Sequence, residues 1–341
     1  MQLVGRSGFL GSGWQIAAAR PSAFNLSLPF GKRNCIVAGS WLCIGLDVGG
    51  SSIEGRARMA EAEASTPLDG PGANLQTAGP AATAERIAAR IREAQQAHPE
   101  AQATAVCAGV AGAGRLDDRE ALAMHLHDQL GAAAPDHLEI VHDGVIALEA
   151  VFGAEAGVVV IAGTGSAVYA RTAEGALERA GGWGPVLGDE GSGYALGRAG
   201  LRAVAHAFDG GPSTELSARV AETLGLGTRA ALIRHVYRDD APLQQVAPLV
   251  LDAAADGDAI ARQIVDTQTG RLADQAAWLA ARCAALPRRI AALGGLTGAD
   301  TYADALRTAL EKRLPGWTVR IASERPADGA LYRACRARPS S

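Results

Sequence analysis

The stretch WLCIGLDVGGSSIEGRARM, residues 41–59, is an apolar run that stops at glycines and hydroxyls and then resumes. Leu42 to Val48 predicts a buried strand, residues 49–52 a turn, and Ile53 to Met59 a returning strand. The plan recurs at VVIAGTGSAVYAR, residues 159–171, where a strand meets the turn Gly163-Thr164-Gly165-Ser166 and a second strand ends in arginine. Each copy starts a strand-rich and then helix-rich segment, which predicts two related α/β halves.

The intervening pattern fits that plan. Helices are predicted over 81–97, where Ile87 and Ile91 stand one turn apart, and over 117–131, closed by Gly131. Residues 103–114 read as a strand running into a glycine loop, and 137–144 as a strand ending in Asp-Gly, followed by a helix. Beyond residue 191 the chain reads as mainly helical to about 285. A strand over 288–296 breaks at Gly294-Gly295, and a helix (299–314), a strand (317–322) and a final helix (328–337) close the chain.

The chain has 341 residues, 48% apolar and 20% charged, enough for a substantial core and two ordinary domains. With a net charge of −4 and no basic block, neither nucleic acid nor an anionic membrane surface is an expected partner. No apolar run approaches the ~20 residues needed to span a bilayer. Cys35, Cys43, Cys107, Cys283 and Cys335 are scattered, without the spacing of a disulfide framework, zinc site or iron–sulfur site, and read as incidental thiols in a reducing cytosol. Residues 1–41 contain no Asp or Glu and read as a disordered or mis-annotated extension, outside the fold.

Three segments carry candidate chemistry. Asp47 precedes Gly49-Gly50-Ser51-Ser52, where backbone N–H groups and hydroxyls can face a phosphate; the alternative is an Asp that stabilises the turn. Asp143 stands where a strand's C-terminal end is expected, as a turn residue or as a carboxylate that accepts a proton from an attacking hydroxyl. GGWGPVLGDEGSGY, residues 181–194, is glycine-rich yet holds Trp183 and the pair Asp189-Glu190, a composition suited to approaching a polyol rather than to a flexible linker. The histidines show no metal spacing, and no Walker-type, nucleophile-elbow or dinucleotide fingerprint is present.

Taken in order, IGLDVGGSSIEGRA, GPGANL, HDG, IAGTGS, GGWGPVLGDEGSGY, ALGGL and PADGALYRA resemble the BadF/BadG/BcrA/BcrD ATPase family, in particular its N-acetylglucosamine and glucosamine kinase members. The resemblance implies an α/β, actin-like ATPase (ribonuclease-H-like) fold with two domains around a nucleotide cleft: 42–149 completed by the C-terminal helix 326–338, and 150–325. It implies ATP and Mg2+ as cofactors. Asp47 would organise magnesium, through water. Gly49, Gly50, Ser51 and Ser52 would form the first phosphate loop, and Gly163, Thr164, Gly165 and Ser166 the second, with Thr164 and Gly165 facing the γ-phosphate. Gly294 and Gly295 would lie against the adenosine. Asn74, Asp143, Gly182, Trp183, Gly184 and Asp189 would hold the sugar, and Asp143 would also be the catalytic base. His142 departs from the small or amide residue expected before that aspartate, and Ser51 stands where a threonine is commoner.

The expected protein is therefore a cytoplasmic amino-sugar kinase, a homodimer with a small-molecule acceptor. Two alternatives share the fold. One is an ATPase activator or subunit of a 2-hydroxyacyl-CoA dehydratase or benzoyl-CoA reductase system, and the other a non-catalytic sugar sensor. The cysteines lie outside the cluster motif of the first, and residues 1–41 lack the periodicity of the helix-turn-helix expected of the second.

Overall fold

The computed structural model describes residues 25–28, 40–239, 241–283 and 285–338. In chain order the elements are β1 (Asn25–Leu28), β2 (Trp41–Val48), β3 (Ser52–Met59), β4 (Thr66–Pro67), β5 (Gly70–Pro71), α1 (Leu75–Ala97), β6 (Ala103–Val110), α2 (Leu116–Leu130), β7 (His137–His142), α3 (Asp143–Phe152) and β8 (Gly157–Ala162). There follow β9 (Ser166–Arg171), β10 (Leu177–Gly181), α4 (Gly193–Phe208), α5 (Leu216–Leu224), α6 (Arg229–Tyr237), α7 (Ala247–Ala255), α8 (Ala259–Arg282), β11 (Arg289–Leu293), α9 (Asp300–Arg313), β12 (Thr318–Ile321) and α10 (Pro326–Arg336).

The strands form two sheets, ordered β1-β7-β6-β2-β3-β4, with β5 also on β3, and β10-β9-β8-β11-β12. In the first, β2, β6 and β7 are parallel and β3 returns antiparallel to β2. In the second, β8, β11 and β12 are parallel, and β9 and β10 return antiparallel. The two sheets thus share a strand plan, and the repeated strand-turn-strand stretches occupy equivalent places in them. Of the extension set aside on sequence, Asn25–Leu28 pairs antiparallel with β7, Ser40 and Trp41 are also described, and the rest lies outside the described residues.

Alternation along β2 sends Leu42, Ile44, Leu46 and Val48 to one face, where they bury with Ile87 and Ile91 of α1 and Leu122 and Leu126 of α2. Cys43, Gly45 and Asp47 point to the other face, which α3 and α10 cover. Gly45 permits this closely: a Cβ there would stand 2.1 Å from Leu331 N of α10. α3 serves both sheets. Its Val145 and Ile146 pack with Cys107 and Val141 of the first, and its Ala147 and Leu148 with Val159 and Tyr169 of the second. Full burial of each such large apolar side chain contributes about 1.5–3 kcal/mol, so α3 fastens the sheets together. Glu149 of α3, its side chain 2% exposed, adds ionic contacts to Arg171 of β9 at 3.1 Å and Arg333 of α10 at 3.5 Å. The other face of the second sheet buries against α4, α7, α8 and α9.

Three local expectations are corrected. The helix expected over 81–97 begins at Leu75, because Asn74 caps an extra turn by accepting from Gln76 N; that turn breaks at Gly79 (φ 78°) before Pro80. Asp143 is not a turn residue after a strand: β7 ends at His142 and Asp143 opens α3. A carboxylate there complements the positive end of the helix dipole. The loop expected over 181–194 begins one residue later, because Gly181 ends the strand β10.

Candidate active site

The two glycine-hydroxyl turns meet. Ser51 Oγ and Thr164 Oγ1 are 2.9 Å apart, across 113 residues of chain. The first turn is closed by Gly49 N–H donating to Ser52 C=O at 3.0 Å and is braced by Ala73 N–H on Gly49 C=O at 2.9 Å. The second is closed by Gly163 N–H on Gly165 C=O at 2.9 Å and braced by Gly193 N–H on Gly163 C=O at 2.8 Å. Main-chain bonds thus shape both turns, and both hydroxyls stay exposed. Ser166 is directed elsewhere, donating to Glu190 C=O at 2.7 Å. Gly294, at φ 115°, abuts the end of β8, where a Cβ would stand 2.4 Å from Ala162 C=O. The 294–295 turn therefore lies beside the second loop.

Asp47 sits at the C-terminal end of β2. Burial raises its carboxyl to about 8, helped by the charges of Asp143 and Glu54. Asp143 behaves oppositely. Burial pushes it up, but the His142 charge and hydrogen bond, the Gly144 N–H and the Tyr169 hydroxyl together hold it below the usual carboxylate value. Gly144 N–H donates to its Oδ1 at 2.7 Å, the Tyr169 hydroxyl donates to the same oxygen at 3.3 Å, and His142 Nδ1 pairs with it. The Tyr169 hydroxyl also lies 3.3 Å from His142 Nε2. Two neighbouring carboxylates are therefore driven apart, one toward neutrality and one toward charge.

Asn74 lies at the edge of the first turn, with Gly50 and Gly112 close to its side chain; its Oδ1 is occupied by the helix cap. Gly182 and Gly184, at φ 67° and 82°, need the left-handed conformation that glycine tolerates. Asp189 is left-handed too, at φ 60°, and buried. Its Oδ1 accepts from Gly184 N at 3.2 Å, and its Oδ2 would stand 2.9 Å from a Cβ on Gly165. The sugar-loop candidate Asp189 thus abuts the second phosphate-loop candidate. Burial raises its carboxyl, against hydrogen bonds from the Gly184 and Ser166 N–H groups. Trp183 stays 67% exposed, with the Arg179 guanidinium 5.8 Å from its ring centre.

Sequence reasoning missed Tyr169 and Arg179. Tyr169 alternates with apolar residues and reads as core. Arg179 sits on β10, and its Nη1 would lie 3.9 Å from a Cβ on Gly114, in the loop after β6. That reach across from the second sheet has no local signature. His142, noted only as a departure from pattern, proves to be a direct partner of Asp143.

Two similar sheets, a shared central helix and a pair of facing Gly-hydroxyl turns define the actin-like ATPase fold. The family model for the BadF/BadG/BcrA/BcrD ATPase family matches residues 44–334, and the chain belongs to that family. A Clostridium acetobutylicum N-acetylmuramic acid/N-acetylglucosamine kinase is 34% identical over 168 residues, 48% of this chain and 54% of that relative. The match thus spans about half of that relative's length. A Dictyostelium discoideum N-acetyl-D-glucosamine kinase is 31% identical over 246 residues, 68% of this chain and 76% of the relative. A crystal structure from Chromobacterium violaceum, provisionally assigned as an N-acetylglucosamine kinase, superposes with TM-score 0.69 at 27% identity, covering 87% of this chain and 99% of its own. These relatives support an amino-sugar kinase, and the family is one of ATPases. Among the described residues, no helix is long and apolar enough to cross a membrane.

Proposed function

We propose that the protein is an ATP-dependent kinase that transfers the γ-phosphate to the 6-hydroxyl of N-acetylglucosamine or glucosamine. The observation that carries this reading is the 2.9 Å approach of Ser51 Oγ and Thr164 Oγ1, which sets two main-chain-shaped turns face to face. In this reading the first turn holds the β-phosphate side and Thr164 and Gly165 meet the γ-phosphate. Gly294 and Gly295 lie along the adenosine. Asn74, Gly182, Trp183, Gly184 and Asp189 line the sugar side.

Asp143 is the base. Its carboxylate is held ionised and aimed by Gly144 N–H, Tyr169 and His142. It accepts the proton of the sugar hydroxyl as the oxygen attacks phosphorus, while ADP leaves in line. Because phosphoryl transfer is loose, orienting that hydroxyl matters more than basic strength. Closing the two halves excludes water, the competing acceptor.

Magnesium fits the donor set. Asp47 is a half-buried carboxylate raised first by burial and then by the negative charges of Asp143 and Glu54, a setting that a cation would compensate. Mg2+ commonly takes one or two carboxylates, with phosphate and water completing its shell. When bound, it would neutralise charge on the phosphates; Asp47 would hold it, through water.

We further propose a two-domain division, 42–149 with 326–338 and 150–325, and a cytoplasmic homodimer acting on a small amino sugar. Light scattering on the purified chain tests the dimer. The kinase reading is tested by ADP release with N-acetylglucosamine, glucosamine, N-acetylmannosamine, glucose and no sugar. A sugar-dependent increment with the first or second is expected; equal release without sugar overturns it.

A further inference from the structure

We propose that Cys335 and Cys43 form a redox-active dithiol, in which Cys335 attacks hydroperoxides and other soft electrophiles and Cys43 resolves the oxidised product as a disulfide. The two residues lie near opposite ends of the chain, and the packing of α10 on β2 joins them. Leu331 N of α10 lies over Gly45 of β2. One helical turn on from Leu331, about 6 Å along the axis, is Cys335. Two residues back from Gly45, about 6.7 Å along the strand on the same face, is Cys43. The steps match, and Cys335 packs against the cluster that Cys43 forms with Val141, Ile146, Ala330, Leu331 and Ala334.

The pair is asymmetric. Cys43 is fully buried, whereas Cys335 is half-buried. Arg58, the cross-strand neighbour of Cys43 on β3, donates from Nη2 to Cys335 Sγ at 3.7 Å, and the Arg338 charge lies nearby. The hydrogen bond from Cys43 lowers the Cys335 thiol to about 6, against burial and with the help of Arg58 and Arg338; Cys43 is raised. An electropositive, partly exposed thiolate beside a second thiol is the setting of reactive cysteines.

The chemistry balances with a hydroperoxide as oxidant. The Cys335 thiolate attacks the terminal oxygen, the O–O bond breaks, and the alkoxide leaves and takes a proton from water, which gives a sulfenic acid. Cys43 sulfur then attacks Cys335 sulfur; the S–S bond forms, the S–O bond breaks, and hydroxide departs with the Cys43 proton as water. Two electrons pass from the two thiols to the hydroperoxide.

The test uses the full chain, reduced and freed of reductant. Its iodoacetamide labelling is followed by mass spectrometry from pH 5 to 9, beside a cysteine-containing peptide. Cys335 is expected at roughly nine-tenths of its limiting rate by pH 7, where an ordinary thiol has reached only a few hundredths. A Cys335 profile that coincides with the peptide's overturns the thiolate. Treatment with hydrogen peroxide is expected to give a Cys43–Cys335 disulfide in non-reducing peptide maps, and in Cys43→Ser a sulfenic acid at Cys335 that dimedone traps. Oxidation confined to sulfinic or sulfonic acid in the wild type, or none at Cys335, overturns the resolving role of Cys43.

Discussion

The turn at 49–52 follows a half-buried carboxylate, Asp47; the turn at 163–166 follows none, for Ile161 holds the matching position two residues before its first glycine. Asp189 approaches the second turn instead, from a separate loop, within 2.9 Å of where a Gly165 side chain would begin. The first sheet is also crossed by α10 at Gly45, whereas the turn at 163 is open around Gly163. Two halves with one strand plan have therefore taken unequal tasks. In the proposed reading the first supplies Asp47, Asp143 and two of the groups that orient Asp143, His142 and Gly144; the second supplies the neutral turn, the Tyr169 hydroxyl and, from a separate loop, Asp189. A duplicated scaffold yields a polar site because the charges are distributed asymmetrically on it.

The largest expected effect lies on the side of the first sheet. Asp143→Asn should lower kcat by about 10²–10⁴-fold, the usual contribution of a positioned base, with ATP affinity by calorimetry nearly unchanged. Near-normal turnover removes Asp143 from that role. His142→Ala removes part of what lowers the Asp143 carboxyl, so the acid limb of its kcat profile should move to higher pH.

Next come the two hydroxyls, which test the comparison directly. Thr164→Val should lower kcat by about 10²-fold, the scale of losing one preorganised donor at a developing charge. Ser51→Ala should cost about tenfold or less, close to the worth of one hydrogen bond. Equal losses would make the two turns equivalent and break the assignment of the γ-phosphate to the second.

Stability effects are smaller. Gly45→Ala drives a methyl group into the α10 backbone and should cost about 1–3 kcal/mol, whereas Gly163→Ala, with nothing within 4 Å of its new Cβ, should leave Tm nearly unchanged. Thermal melts of both variants decide it. The last effect has the opposite sign. With a folded pKa of about 8 against an ordinary 3.8, Asp47 binds its proton more tightly in the folded state. The metal-free protein should therefore lose stability as pH rises between those values. Asp47→Asn should remove that decline and raise Tm at pH 8 by a few degrees, even as it lowers phosphoryl transfer. A Tm that falls in the variant would mean that the carboxylate is already compensated.

Much of this was legible in one dimension. Strand, turn and strand are local events, and glycines with hydroxyls at 49–52 and 163–166 announce their backbone freedom within a few residues. Alternation and helical periodicity likewise marked β2, β3, β8, β9 and most helices. Among the elements that escaped, β1, β4 and β5 are only two to four residues long, and β10 is short and half-buried, so its apolar alternation is weak. Asp-Gly carries a turn signal, so sequence alone leaves Asp143 between a turn residue and a carboxylate at a strand end; helix α3 starts there because its apolar residues are buried between two sheets, a gain no local window contains.

The sequence by itself determined the two-half α/β plan and the candidate residues, because propensity and pattern act over a few bonds. Tertiary structure alone decided which candidates meet: Ser51 with Thr164, Asp189 with Gly165, Tyr169 with Asp143, and Cys43 with Cys335. Those contacts join segments far apart in the chain, and their energies come from burial of α3 between the sheets and of α10 against β2. A pKa near 8 for Asp47 comes first from burial, which only packing supplies, whereas the Asp143 carboxyl is lowered first by its chain neighbours His142 and Gly144 and then by Tyr169, which packing brings to it.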